Sequence, residues 1–287
     1  MQLHTKILLG MLLGIVLGIA LGPRSALLPQ TAAEATGALY VAPDGALLPV
    51  DAAMEAARDP SQLVGFLELH IEQGPVLEQT QNTIGVVEGI SGVFKWLIKF
   101  IGKADHAGTA PMNLRSDAFM GVADFAHEIS RIIDEEGTDK SRLTIGSVEL
   151  KPGFAHTVPG EVDFTLVGRD MSEEIMRNLA DTCRKACSSI ARKHKLMFEY
   201  EQMSWLEPKP CSKDMIELLE RHSKQMGYKT LIMPSGAGHD AAVFAGAGVP
   251  TAMIFIRNDH GSHNPDETMD MADFEASVVL LLEFVRS

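Results

Sequence analysis

The sequence predicts an α/β protein in which a compact module interrupts a second, larger unit. From about residue 63 onwards, segments with strand-like and helix-like patterns alternate. Between residues 91 and 203 these segments follow the order β-α-β-β-α-β, which is the ferredoxin-like arrangement. A hydrophobic content of 46% with 22% charged residues is ordinary for a globular chain. The 287 residues therefore suffice for two domains, each with its own core.

Residues 91–203 are expected to form the ferredoxin-like module. Apolar side chains such as Phe119, Val122 and Phe125 recur at helical spacing, whereas the flanking runs are rich in β-branched and aromatic residues. The expected elements are a strand at 93–102, a helix at 114–136, strands at 142–150 and 161–169, a helix at 172–195 and a strand at 196–203.

Residues 63–90 and 204–287 are expected to form the partial α/β domain around this module. Its predicted elements are a strand at 66–72, a helix at 215–226, a strand at 230–233, a helix at 240–247, a strand at 249–257 and a helix at 271–286. In α/β sheets, ligands bind beyond the carboxyl ends of the strands, so we expect a site in the loops that follow these strands.

Residues 1–28 form an apolar leader. The run from Ile7 to Leu21 lacks charge, and glycines recur at every fourth position from Gly10 to Gly22. Fifteen helical residues span roughly 22 Å, short of the ~30 Å hydrocarbon core, whereas an extension to Leu28 is long enough but includes Arg24. A membrane helix that anchors the chain and a cleavable signal peptide both remain open.

The first 22 or so residues also resemble the opening of sodium:dicarboxylate symporters. No second long apolar run follows, so the sequence argues against transport. Residues 29–62 are expected to be a linker with one short helix near residues 50–58.

The charge and the cysteines restrict the partners and the compartment. A formal net charge of -13 argues against general binding to nucleic acid or to anionic lipid. Cys183 and Cys187 lie four positions apart on one helix face, so a reactive or metal-binding pair stays open, but small buried side chains are favoured, and no disulfide framework is expected. We therefore expect the body of the protein to lie in a reducing, cytoplasmic compartment.

The first predicted strand places Glu68, His70 and Glu72 on one face, because successive side chains alternate. Imidazole and carboxylate groups together are typical ligands of divalent transition metals. A solvent-facing polar side explains the same pattern, and this strand alone leaves both interpretations open.

Three loops also carry groups suited to chemistry. The loop at 257–267 contains His260, His263 and several acids directly after an apolar strand, and it is either a ligand loop or a polar turn. The segment at 235–240 places His239 between glycines and a helix start. His106 lies in a tight turn after a strand, where it is either structural or catalytic.

Four of these segments together resemble one enzyme family. They are LELHIEQGPVLE at 67–78, DHAGT at 105–109, PSGAGHD at 234–240 and SHNPDE at 262–267. From about Gly65 to its end, the chain resembles the hydantoinase/carbamoylase family, which includes allantoate amidohydrolase and N-carbamoyl-L-amino-acid hydrolase. This family belongs to the wider carboxypeptidase- and aminoacylase-like metallohydrolases.

The resemblance implies a catalytic domain with two divalent metal ions, Zn²⁺ or Mn²⁺, and an inserted lid domain that forms a homodimer. It implies that His70 and His263 are metal ligands, and that His106 acts as an oxyanion donor in the partner's site. Substrate contacts are implied for Gln73, His156, Arg169 and His239, with Arg169 holding the carboxylate. His156 stands where many members have Asn.

The sequence departs from the family pattern in its metal motifs. No His-x-Asp motif is present, and the Glu-Glu pairs at 135–136 and 173–174 lie at predicted helix ends. We therefore expect an incomplete metallopeptidase-like catalytic domain, and an impaired amidohydrolase for small ureido acids. The alternative is a truncated homologue without catalysis that dimerises or binds ligand, tethered to a membrane by the leader.

Overall fold

The computed structural model describes residues 39–41 and 47–49 by their backbone, and residues 59–287 with side chains. The described residues divide into two units, one comprising 39–41, 47–49 and 59–66 with 247–249 and the other comprising 67–246 with 250–287. The apolar leader and the helix expected near 50–58 lie outside the described residues. Within the part of the chain that is described, no helix is both long enough and apolar enough to span a bilayer.

The first unit contains a small antiparallel pair of strands, β1 (Leu39–Val41) and β2 (Leu47–Pro49). A single 3-10 turn follows at Pro60–Gln62, and the Asp59 side chain caps it by accepting from the Ser61 amide at 2.9 Å. The sequence predicts a linker with one helix in this region. Strands of three residues are too short to show a period-2 pattern, which explains why they were not predicted.

From Phe66 onwards the described residues contain eleven further strands and six α-helices, besides one 3-10 turn at Met112–Leu114. In chain order they are β3 (Phe66–Ile71), α1 (Val76–Thr80), β4 (Ile84–Ile90), β5 (Gly92–Ile101), β6 (Asp105–His106), α2 (Ala118–Glu136), β7 (Arg142–Lys151), β8 (Thr157–Val158), β9 (Glu161–Asp170), α3 (Glu173–His194), β10 (Met197–Leu206), β11 (Lys209–Pro210), α4 (Lys213–Gln225), β12 (Thr230–Ser235), α5 (Asp240–Gly246), β13 (Thr251–Ile256) and α6 (Met271–Arg286).

The module predicted from the β-α-β-β-α-β order is present. Its four long strands form one antiparallel sheet in the order β10-β5-β9-β7, and α2 and α3 connect them. Helix α2 begins at Ala118, later than predicted, because Asp117 caps it by accepting from the Phe119 amide at 3.0 Å. Ser172 caps α3 in the same way.

Buried and partly exposed residues alternate strictly along β5 and β9, and the buried ones build the core of the module. Every second residue is fully or almost fully buried, namely Phe94, Trp96, Ile98 and Phe100 on β5, and Val162, Phe164 and Leu166 on β9. These side chains form one cluster with buried residues of α2 and α3. Phe164 packs between Phe100 and Phe125, with ring centroids 5.6 and 5.7 Å apart. The intervening residues of β5 and β9 point to the opposite face.

The other sheet belongs to the partial α/β domain and has the order β11-β4-β13-β3, with β12 also paired to β4. Strand β12 runs parallel to β4, whereas β13 runs antiparallel to it. Strand β4 was not predicted, because Gly85 and Gly89 interrupt its apolar run. A Cβ atom at Gly85 would lie 3.0 Å from Phe255 Cβ, so the glycine permits close packing of these strands.

The aromatic core of the module provides a direct test of its packing. Phe164→Ala is expected to lower the free energy of unfolding by about 3–5 kcal/mol, because it removes a fully buried ring and leaves a cavity. Phe154→Ala is the control, since that ring is 71% exposed and its removal should change stability by no more than about 0.5 kcal/mol. Urea unfolding followed by circular dichroism measures both values, and equal effects would contradict this core assignment.

Candidate functional site

A cavity of about 680 Å³ lies beside the ends of β3 and β12, within the second unit. This volume is in the range of small-molecule sites, which are usually about 300–1,000 Å³. Its wall is built mainly from four regions: the segment after β3, the loop after β12, the loop after β13 and the module. The lining side chains include Glu72, Gln73, Met233, His263, Arg142 and Arg169.

Arg169 reaches the cavity because of its position in β9. Arg169 is one of the alternate residues of β9 whose side chains point away from α2 and α3, so its side chain lies outside the module core. The guanidinium makes no hydrogen bond or ion pair with any residue in the described part of the chain. Partial burial lowers the pKa of the Arg169 guanidinium, which nevertheless stays protonated at neutral pH. A charged guanidinium without an acidic partner, placed in a cavity, is suited to bind a carboxylate ligand through two hydrogen bonds.

The neighbouring acid, Asp170, does not compete for Arg169. Its buried carboxylate accepts from Thr138 Oγ1 at 2.8 Å, from Ser141 Oγ at 2.5 Å and from the Ser172 amide at 2.7 Å. Asp170 therefore fixes the turn between α2 and β7 and the start of α3.

Asn258 joins the segments that carry Gln73 and His263. The Gln73 amide donates to Asn258 Oδ1 at 2.9 Å, and Asn258 Nδ2 donates to the Gly261 carbonyl at 2.7 Å. Gln73 adopts a left-handed conformation with φ 61°, which turns the chain into the cavity wall. Sequence reasoning did not single out Asn258, although a polar residue shortly after a wholly buried strand is a usable signal.

His263 lies in the loop after β13 and lines the cavity. Its backbone is left-handed, with φ 60°, and its amide donates to Glu267 Oε2 at 3.0 Å. The Glu267 carboxylate thus holds the backbone of this loop.

His70 lies on β3 and has the tautomer of a potential metal ligand. Its Nδ1 is 2.7 Å from the Ile71 carbonyl oxygen. A carbonyl oxygen can only accept, so Nδ1 carries the proton and Nε2 presents its lone pair. Burial lowers the pKa of His70, against the opposing effect of the bond to Ile71. The neutral ring is the form that binds metals.

His239 lies against His70 rather than on the cavity wall. The two rings meet edge-on with centroids 4.7 Å apart, and the side chain of His239 is almost completely buried. His239 Nδ1 is 3.5 Å from Glu68 Oε1, and Glu68 Oε2 accepts from the Ala241 amide at 2.8 Å. Burial by itself would raise the pKa of Glu68, but His239 and the Ala241 amide together bring it below its usual value. The substrate contact predicted for His239 remains a prediction.

His106 and His156 come together in a separate turn. Strand β6 pairs with β8, and the Ala107 amide donates to the His156 carbonyl at 2.9 Å. His106 Nδ1 accepts from the amides of Gly108 and Thr109 at 3.0 and 3.2 Å. The neutral His106 ring therefore carries its proton on Nε2, as an oxyanion donor must. Both histidines are exposed, and neither lines the cavity of its own chain.

The donor set does not fit a complete metal centre. Across residues 59–287, no three or more His, Cys, Asp or Glu side chains converge to hold a metal ion. A hydrolytic metal site requires about three protein ligands per metal ion. His70 keeps its proton on Nδ1 and His263 lines the cavity, but two histidines do not form such a site by themselves.

Comparisons with known proteins identify the relatives of this chain. The model of peptidase family M20/M25/M40 matches residues 2–287. The chain is 35% identical over 233 residues to an N-carbamoyl-L-amino-acid amidohydrolase of Paenarthrobacter aurescens, covering 81% of this chain and 56% of that protein. It is 35% identical over 221 residues to the allantoate amidohydrolase of Escherichia coli K12, covering 75% of this chain and 52% of that protein.

Solved structures agree with these sequence relatives. A hydantoinase/carbamoylase-family amidase from Burkholderia multivorans superimposes with a TM-score of 0.73 at 31% identity, covering 76% of this chain and 53% of that one. The resemblance seen in the four motifs is therefore confirmed. The chain spans little more than half the length of the relatives it matches.

The Asn258 link provides a test of the site's construction. Asn258→Ala is expected to cost about 1–3 kcal/mol of unfolding free energy, because it leaves the Gln73 amide and the Gly261 carbonyl without their partner. Asn113→Ala is the control, since its exposed side chain makes no hydrogen bond within the described residues. If denaturant unfolding shows the same small change in both variants, Asn258 does not hold the two loops together.

Proposed function

Because this chain belongs to peptidase family M20/M25/M40, we propose that it is part of a metal-dependent amidohydrolase that cleaves a non-peptide C–N bond of small ureido or carbamoyl acids. Relatives that match most of this chain carry the names N-carbamoyl-L-amino-acid amidohydrolase and allantoate amidohydrolase. Ureido acids combine a carboxylate with a carbamoyl-type group, so their site needs a cation as well as hydrolytic groups.

The observation that carries this proposal is the free guanidinium of Arg169 in the cavity. It is partly buried, charged and without an acidic partner in the described part of the chain, and Asp170 is engaged elsewhere. An arginine fork binds a carboxylate through two parallel hydrogen bonds. Gln73 and His263 line the same cavity and would contact the rest of the substrate.

For the metal, we propose His70 and His263 as ligands of Zn²⁺ or Mn²⁺. The hydrogen bond from His70 to Ile71 supports this role, since it keeps the proton on Nδ1 and leaves the lone pair on Nε2. The other ligands and the base would have to come from outside residues 59–287. Within those residues, the chain can bind and orient a substrate.

We further propose that the module mediates a homodimer through β7. This ten-residue strand forms one edge of the sheet, and Val148 and Leu150 are 43% and 38% exposed there. The other edge strand, β10, carries two exposed acids, Glu199 and Glu201, which discourage pairing between strands, whereas β7 carries one, Glu149. In a dimer, His106 would donate from Nε2 to the substrate carbonyl in the partner subunit's cavity. His156, which is hydrogen-bonded beside His106, would approach the same substrate.

A second candidate is a ligand-binding homologue without catalysis. The lack of a complete metal cluster in residues 59–287 favours it. The two functions share the Arg169 cavity and differ in turnover. Release of ammonia from N-carbamoyl-L-alanine with added Mn²⁺ or Zn²⁺ would support the hydrolase, and binding without release of ammonia would support the ligand-binding homologue.

Binding of N-carbamoyl-L-alanine tests the role of Arg169. Arg169→Gln is expected to weaken binding about tenfold or more, because a charge-assisted pair with the carboxylate is lost. Arg221→Gln is the matched control, since this exposed arginine of α4 lies away from the cavity. Isothermal titration calorimetry measures both affinities. Unchanged affinity in Arg169→Gln would contradict the proposed carboxylate site.

The dimer is tested by a charge placed on the proposed edge. At micromolar concentration, sedimentation velocity should give about twice the chain mass of 31.1 kDa, and Leu150→Lys should shift the protein towards the monomer. Leu206→Lys is the control, because Leu206 is 56% exposed on the opposite edge strand. A wild-type monomer, or equal dissociation of both variants, would refute dimerisation through β7.

A further inference from the structure

Two arginines face each other across the β7–β9 pair. Arg142 is the direct cross-strand partner of Arg169, and both side chains line the cavity. Residues in this relation share one face of the sheet, with Cβ atoms about 5 Å apart, and like charges there destabilise the pair. An anion bound between the two guanidinium groups would relieve this repulsion.

No acidic side chain among the described residues pairs with either guanidinium. Arg142 Nη1 donates to the carbonyls of Asp139 and Ser141, each at 2.7 Å, and neither arginine forms an ion pair among them. A guanidinium has five N–H donors, so Nε and Nη2 of Arg142 remain available. Asp139 also lines the cavity, but its exposed side chain bonds to neither arginine.

The other acids of the cavity wall are engaged. Glu72 accepts from the amides of Val76 and Leu77 at 2.8 and 2.7 Å, which fixes the start of α1. Glu88 pairs with Lys140 at 2.6 Å. In a chain with net charge -13, two neighbouring unpaired guanidinium groups form a distinct local cationic site.

Arg142 is also held in place before any ligand arrives. Its two carbonyl partners belong to the turn that Asp170 fixes through Thr138 and Ser141. A guanidinium held in this way loses little side-chain entropy when it binds an anion, in contrast to a free surface arginine.

We propose that the cavity selects a ligand with two carboxylates, such as the N-carbamoyl derivative of an acidic amino acid. Arg169 binds one carboxylate and Arg142 binds the other. This inference rests on the proposed function, because it assigns the first carboxylate to Arg169, and it adds a specificity-determining residue on β7. The second anion relieves the repulsion across the strand pair.

Calorimetric titration with N-carbamoyl-L-aspartate and N-carbamoyl-L-alanine tests the inference. The wild-type protein is expected to bind the dicarboxylate about tenfold more tightly or better, as one added charge-assisted contact predicts. Arg142→Gln should abolish this preference, which is measured as the ratio of the two affinities. Arg142→Lys keeps the charge without the fork and should retain part of the preference.

The outcomes separate this inference from the proposed function. Loss of the preference in Arg142→Gln, with Arg221→Gln unchanged, supports the two-carboxylate site. Equal wild-type affinities for the two ligands, with Arg169 still required, overturn the role of Arg142 and leave the proposed function intact. If the wild-type protein binds neither ligand, both are wrong. If Arg142→Gln fails to fold, as judged by circular dichroism, Arg142→Lys decides. A reduced preference in this variant supports the role of Arg142, and an unchanged preference overturns it.

Discussion

The alternation of side chains along β9 is the constraint on which the rest of the module and the cavity depend. One set of residues, including Phe164, builds the core against α2 and α3, and the other set includes Arg169. A shift of register by one residue would move the arginine into that core and the aromatic ring out of it. The packing energy of the module therefore also fixes the direction in which Arg169 points.

Much of the fold was predictable because its signals are local. The period-2 and helical patterns predicted the module's order and most element positions within a few residues. Strand β4 was missed since Gly85 and Gly89 break its pattern, although neighbouring strands pack closely at Gly85. Two of the motif residues, Gln73 and His263, together with Arg169, line the cavity.

Features that depend on long-range contacts were not predictable. Nothing in the spacing of His239 indicates that its ring lies edge-on to His70 and away from the cavity wall. The importance of Arg142 depends on the register between β7 and β9, which no motif records. Likewise, His106 and His156 lie fifty positions apart in the chain, and only the β6–β8 pairing brings them together.

The hydrogen bond between Gln73 and Asn258 has a consequence for the order of folding. It joins residues 185 positions apart, and the whole ferredoxin-like module lies between them. Closing so long a loop costs conformational entropy, which is offset only when many further contacts form. The strands and helices of the module contact one another over much shorter separations in sequence. We therefore expect the module to mature first and the cavity to be among the last features to form. A newly made chain would then pass through a state with a folded module but no binding site.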